Sequence, residues 1–162
     1  MLSRTALVVS LVALAGCGFH LRGTADVPFQ TLYLPNADSG IALDLRRYVQ
    51  AGTQARVVDD PKQAEAIVAF TEENREKNIL SLTGAGRVSE FQLKYRVGFR
   101  VHDGKGNNYV PQSTLELTRD VTYDDADVLA KESEEQLLYR DMQGDMVQQI
   151  MRRLSSAQKP KA

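Results

Sequence analysis

At 162 residues the chain has room for one domain of roughly 150 residues and not for two. Its 20 Lys and Arg against 21 Asp and Glu give a net charge of -1, without the basic excess of a nucleic-acid binder. A hydrophobic fraction of 43% with 25% charged residues excludes wholesale disorder, and one Cys excludes both an internal disulfide and a Cys-rich zinc site.

The first sixteen residues read as a leader and not as part of the fold. Arg4 supplies a basic start, and Ala6–Gly16 is an apolar run broken only by Ser10. Crossing a bilayer takes about 20 apolar residues, so the run fits a secretory signal and not a permanent span. It ends in Leu14-Ala15-Gly16-Cys17, which resembles the bacterial lipobox. There the thiol takes a diacylglycerol, the leader is cut before Cys, and the new amine is acylated. The expected division is therefore a signal peptide at 1–16, a lipidated tether at 17–28, one domain at 29–154 and a polar tail at 155–162. Each buried acyl CH₂ contributes roughly 0.8 kcal/mol, so two or three chains on Cys17 make a firm anchor. Gly18, where enteric lipoproteins retained in the inner membrane carry Asp, points to the outer membrane.

Phe29–Leu34 reads as a strand stopped by Pro35-Asn36. Asp38 or Ser39 caps a helix whose apolar positions are Ile41, Leu45, Tyr48 and Val49, and Gly52 stands where a helix end favours positive φ. Arg56–Val58 is a short extension. Ala64–Thr71 and Ile79–Thr83 read as two halves of one long strand, with Glu72–Asn78 as a polar interruption. The clearest signal follows: Phe91, Leu93, Tyr95, Val97, Phe99 and Val101 alternate with polar residues and Gly, as a strand with one buried face requires. The Asp-Gly of His102–Asn108 predicts a hairpin loop. Leu115, Leu117, Val121 and Tyr123 continue the pattern on the return strand, with Arg119 breaking the apolar face. Asp124 or Asp125 then caps a helix over about 126–154, whose stripe is Leu138, Met142, Met146, Ile150 and Leu154, widened by Leu137, Tyr139, Val147 and Met151. These elements predict an α+β two-layer sandwich, with two helices against a mainly antiparallel sheet of about four strands.

Catalytic chemistry is poorly supplied. The two His, His20 and His102, fall in the tether and at the hairpin loop, so no Ser/His/Asp arrangement suggests itself. Asp124, Asp125 and Asp127 are better explained as helix-start residues than as metal ligands, and Gly84-Ala85-Gly86 leads into a strand and not a phosphate-cradling helix. No cofactor is expected beyond the covalent lipid on Cys17. One polar surface stands out: Lys94, Arg96 and Arg100 alternate on one strand, with Arg87 near its start. This is either a solvated sheet face or a docking face for an anion.

Cys17-Gly18-Phe19-His20-Leu21-Arg22-Gly23, Ser89-Glu90-Phe91-Gln92-Leu93, Leu129-Ala130-Lys131-Glu132 and the Leu138-Tyr139 helix ending in Arg152-Arg153-Leu154 together resemble the LPS-assembly lipoprotein family, the LptE type. The resemblance implies two helices on one face of a mainly four-stranded sheet. It also implies a protein that plugs and helps assemble a large outer-membrane β-barrel and assists delivery of lipopolysaccharide to the cell surface. The implied partners are that barrel, lipopolysaccharide, and the outer membrane through the lipid anchor. Localisation would be periplasm-facing or within the barrel lumen. Lipopolysaccharide-binding positions transfer to Arg87 and Lys131, with Lys94 and Arg96 added from the alternation. The alternative is a structural lipoprotein of another outer-membrane assembly machine.

Overall fold

The computed structural model describes residues 25–124 and 127–159. The leader, Cys17, His20 and most of the tether, together with Asp125 and the last three residues of the tail, lie outside these. In chain order the elements are β1 (Thr31–Tyr33), α1 (Gly40–Gly52), β2 (Arg56–Val58), a 3₁₀ turn at Pro61–Gln63, β3 (Ala66–Leu82), β4 (Val88–His102), β5 (Asn108–Thr122) and α2 (Val128–Ser155).

The period-two run of apolar residues becomes β4, the second of three long antiparallel strands. Leu93, Tyr95, Val97, Phe99 and Val101 are all fully buried on one face. β4 pairs with β3 on one side and β5 on the other, so the His102–Asn108 segment is the expected hairpin connection. The five-stranded sheet runs β2-β1-β3-β4-β5, and β1 is parallel to both its neighbours. Parallel neighbours need a crossover, and α1 supplies the one between β1 and β2. The additional strand is β2. Its three residues are too few to show alternation, and pairing with β1 at Leu32↔Val57 is what makes them a strand.

β3 is one continuous strand, as its two apolar halves suggest, and the polar Glu72–Asn78 stretch runs inside it. β1 reaches β3 only at Ala66 and Ile67, so beyond that point β3 is an edge strand, and most of its polar residues there are exposed. A register shift between Phe70 and Glu72 leaves Thr71 as a bulge. The opposing residue is Gly98, where an added Cβ would meet Thr71 Oγ1 at 2.7 Å.

Both helices lie on the apolar face. α1 contributes Ile41, Ala42, Leu45 and Val49 to the core, and α2 contributes Met142, Met146, Val147, Ile150 and Leu154. The methionine stripe is core packing. The stripe narrows toward the start of α2, where Leu129 is 80% and Leu137 53% exposed, because the core ends before the helix does. Leu137 is therefore corrected from the buried stripe to the surface.

The helix ends also differ from expectation. Ser39, one of the two expected residues, does precede α1 but without a side-chain bond, whereas Asp127 and not Asp124 precedes α2, likewise without one. Gly52 is still helical, without positive φ. Thr53 closes α1 instead, with its N–H and its Oγ1–H both donating to Val49 O at 3.0 and 2.9 Å. At the domain margins, the Ala25 N–H donates to Gly52 O at 2.7 Å, and Val27 and Ala157 pack against the core.

Candidate functional site

The polar face of β4 lies opposite the helices, and its neighbours decide its charge. Register places Arg96 between Asn74 and Glu116, and Lys94 between Glu76 and Thr118. Arg96 Nε and Nη2 both donate to Glu116 Oε2, at 3.0 and 2.8 Å, and its Nη1 lies 3.6 Å from Glu72 Oε1. Lys94 Nζ is 3.8 Å from Glu116 Oε1. The Arg96 guanidinium holds the Glu116 carboxyl below its ordinary range, and Glu116 in turn raises the Arg96 pKa. Glu72, Glu76 and Glu116 thus surround two of the cations that alternation presents together. Reading one strand exposes cations; reading three pairs them.

Arg87 and Lys131 stand elsewhere, at the end of the sheet where β3 turns into β4. The turn is closed by Thr83 N–H donating to Arg87 O at 2.7 Å and by Arg87 N–H donating to Thr83 Oγ1 at 3.2 Å. Gly86 carries φ +78° there, a conformation that L side chains rarely adopt. Among the described residues the Arg87 side chain has no ion pair. The Tyr123 N–H donates to Ser89 O at 2.8 Å, which brings the end of β5, and α2 after it, to the same margin. Lys131, near the start of α2, donates to Glu134 Oε2 at 2.9 Å and to Thr122 Oγ1 at 3.3 Å. The four candidate cations therefore form two groups, Lys94 with Arg96 on the open face and Arg87 with Lys131 at the sheet end.

The sheet end is also apolar. Ile79 and Leu82 at the end of β3 are 60% and 57% exposed, and Leu80, Val128 and Leu129 are exposed beside them. Elsewhere isolated exposed apolar residues are ordinary, but several on neighbouring elements mark a contact surface.

Sequence reasoning missed Lys77, which lies in the polar stretch of β3. Its Nζ lies 4.3 Å from the Phe91 ring centroid and donates to Glu135 Oε2 at 2.6 Å. Phe91 and Tyr123 meet edge to face at 5.2 Å. These groups and Lys131 line a cleft of about 80 Å³ between the sheet and α2. The missed signal was phase: Glu73, Arg75 and Lys77 oppose Val97, Tyr95 and Leu93, so they share the helix-bearing face.

Further along that face Arg75 is held between two rings, 5.0 Å from the Tyr95 centroid and 5.4 Å from that of Tyr139. It donates to Gln143 Oε1 at 2.6 Å, and Gln143 Nε2 donates to Asp44 Oδ2 at 2.6 Å, tying β3 to both helices. Tyr95 Oη–H donates to Glu73 Oε1 at 2.7 Å, and burial, reinforced by that carboxylate, pushes its pKa well up. Tyr139 Oη–H donates to Glu76 O at 2.7 Å. This network serves packing. His102 sits at the hairpin loop, its Nδ1 accepting the Gly104 N–H at 3.1 Å. Among the described residues no group of three or more His, Cys, Asp or Glu is placed to hold a metal, and no helix is long and apolar enough to cross a membrane.

A family model described as LptE, lipopolysaccharide-assembly, matches residues 26–154. The chain is similar to the LPS-assembly lipoprotein LptE of Photorhabdus laumondii, at 25% identity over 96% of this chain and 88% of the relative. It is 28% identical to the protein of that name from Pectobacterium atrosepticum, over 91% of this chain and 83% of the relative. Among solved structures, an uncharacterized lipoprotein B from Nitrosomonas europaea superposes with a TM-score of 0.74 at 42% identity, over 86% of this chain and 91% of that one.

Proposed function

We propose, because this chain belongs to the LptE lipopolysaccharide-assembly family, that it is an outer-membrane lipoprotein anchored through Cys17 that partners the large β-barrel of lipopolysaccharide transport. In this role it plugs and helps assemble the barrel and assists passage of lipopolysaccharide to the cell surface, a binding role without a chemical step of its own. The curated relatives carry lipopolysaccharide assembly in their names, which supports the pathway.

The observation that supports a direct glycolipid contact is the sheet end. Arg87 and Lys131 come from elements 44 positions apart in the chain, yet share a margin with exposed Ile79, Leu82 and Leu129. An amphiphile with anionic phosphates and acyl chains needs both kinds of surface within one footprint. The chain is slightly acidic overall, so attraction must come from such a local patch and not from net charge. The open face is less suited, since among the described residues neither β4 nor β5 adds an exposed large apolar side chain beside Lys94 and Arg96.

The test is reversal of Arg87 and Lys131 together to Glu, with lipopolysaccharide binding and barrel co-purification measured on the same preparation. Binding should fall, and its residual salt dependence should flatten, because exposed contacts are screened over about 8 Å at physiological ionic strength. Barrel co-purification should persist. Unchanged glycolipid binding in a natively folded variant would place the contact on another surface. Loss of the barrel alone would mean that these cations face the protein partner.

A further inference from the structure

The cleft beneath the sheet end holds two cations, and each already has an acid from α2. Lys77 Nζ reaches Glu135 Oε2 at 2.6 Å from the sheet, and Lys131 Nζ reaches Glu134 Oε2 at 2.9 Å along the helix. Neither lysine is buried away from approach, their side chains being 35% and 22% exposed. Phe91, Tyr123, Val128 and a further α2 carboxylate, Glu132, also line the cleft. A space of about 80 Å³ admits two or three waters or one tetrahedral oxyanion, and no more.

We propose that this cleft is a phosphoryl-binding site in which Lys77 and Lys131 grip one phosphate, while Glu135 and Glu134 are displaceable internal counter-ions that limit its affinity. The proposal rests on the glycolipid contact at the sheet end and adds to it a residue, Lys77, and a means of tuning. A phosphate monoester carries three acceptor oxygens and up to two negative charges on one centre, so a single group can meet both ammonium groups where two separate carboxylates are otherwise needed. Glu134 and Glu135 are 46% and 23% exposed, so each has a path toward water when the phosphate arrives. In the empty protein the same acids keep two neighbouring cations from repelling each other. The ligand then exchanges for them instead of paying to bury an unpaired charge. Such an arrangement favours reversible capture, as a protein that passes its cargo onward requires. The Phe91 ring beneath Lys77 keeps the ammonium in place while its counter-ion changes, through the cation–π contact at 4.3 Å.

The experiment titrates the full-length lipoprotein in detergent with purified lipopolysaccharide and, separately, with inorganic phosphate. Glu135→Gln should raise affinity about two- to five-fold, the loss of one partly exposed competing ion pair. Lys77→Gln should lower it by a similar factor. The opposite signs matter: structural damage from breaking the Lys77–Glu135 pair would weaken binding in both variants, whereas competition predicts a gain in one. Circular dichroism melting of each variant confirms that both are folded. A gain with lipopolysaccharide only identifies a lipid-borne phosphate as the ligand. A gain with both probes supports the site with the phosphoryl group as its sole determinant. No gain with either probe in folded Glu135→Gln overturns the proposal. The Arg87→Glu, Lys131→Glu variant separates the two levels. If it loses glycolipid binding while Glu135→Gln and Lys77→Gln change nothing, only the counter-ion mechanism fails. If it binds normally, the underlying contact fails as well.

Discussion

Gly98 faces the Thr71 bulge so closely that a Cβ on it would stand 2.7 Å from Thr71 Oγ1 and 3.2 Å from Glu72 Cβ. The bulge lies where β3 passes from its buried first turns of pairing to its solvated edge, and Thr71 Oγ1 also accepts a bond from Gln112 Nε2 at 2.6 Å. Three strands are thus registered through one small space. Gly98→Val should destabilise the domain by about 1–3 kcal/mol, as overpacking does. Thr71→Ala should recover part of that loss in the double variant, because it removes the nearest clashing atom. Equal melting of the Gly98→Val protein and the wild type would show that the strands slide apart freely.

Buried substitutions on β4 should differ according to the flanking strands. Val97 and Leu93 are both fully buried, but Val97 stands between Glu73 and Leu115, whereas Leu93 stands between Lys77 and Arg119. A carboxylate at 97 therefore meets an acid and an apolar residue, and one at 93 meets two cations. Val97→Asp should cost more than Leu93→Asp, and both should exceed about 2 kcal/mol, while Lys94→Gln on the open face should stay within about 1 kcal/mol. Chemical denaturation of the three variants checks the order. A large loss for Lys94→Gln would contradict the register.

The Arg96–Glu116 pair predicts a pH dependence with a definite sign. Its effect on Glu116 is to lower the carboxyl pKa beneath its ordinary 4.5, chiefly through the Arg96 hydrogen bonds. A carboxyl depressed in the fold adds stability that is complete above its unfolded pKa and disappears as pH falls through the folded one. Glu116→Gln should therefore melt below the wild type at neutral pH, with the gap closing from about pH 4.5 downward. A gap that persists at about pH 2 would assign the difference to packing and not to charge.

Anchoring depends on a single thiol. The chain has one Cys, so Cys17→Ala should abolish incorporation of a labelled fatty acid and leave an unprocessed or unanchored form. Labelling that survives this change would require another acceptor and would remove the lipobox assignment.

The hairpin of β4 and β5, both helices and the long β3 were legible in sequence because each repeats a local period over many residues. Phe91 to Val101 at every second position, and Met142 to Leu154 at every fourth, state which side is buried wherever the partner lies. Arg56–Val58 was legible only as a short extension, since three residues hold no period and the parallel pairing with β1 is what makes them a strand of the sheet. The capping of α1 at Thr53 was not legible: there a β-region residue with a hydroxyl reaching back to Val49 replaces the left-handed glycine that Gly52 suggested. The cations show the division most clearly. Alternation assigned Lys94 and Arg96 to one face, correctly, but charge is a sum over neighbours, and Glu72, Glu76 and Glu116 arrive from strands that sequence cannot align. Lys77 falls in the polar Glu72–Asn78 stretch of the sequence, and only α2, 58 positions later, places Glu135 against it. Periodicity is a property of one segment and survives in sequence; a binding surface is a property of several, and exists only once the chain has brought them together.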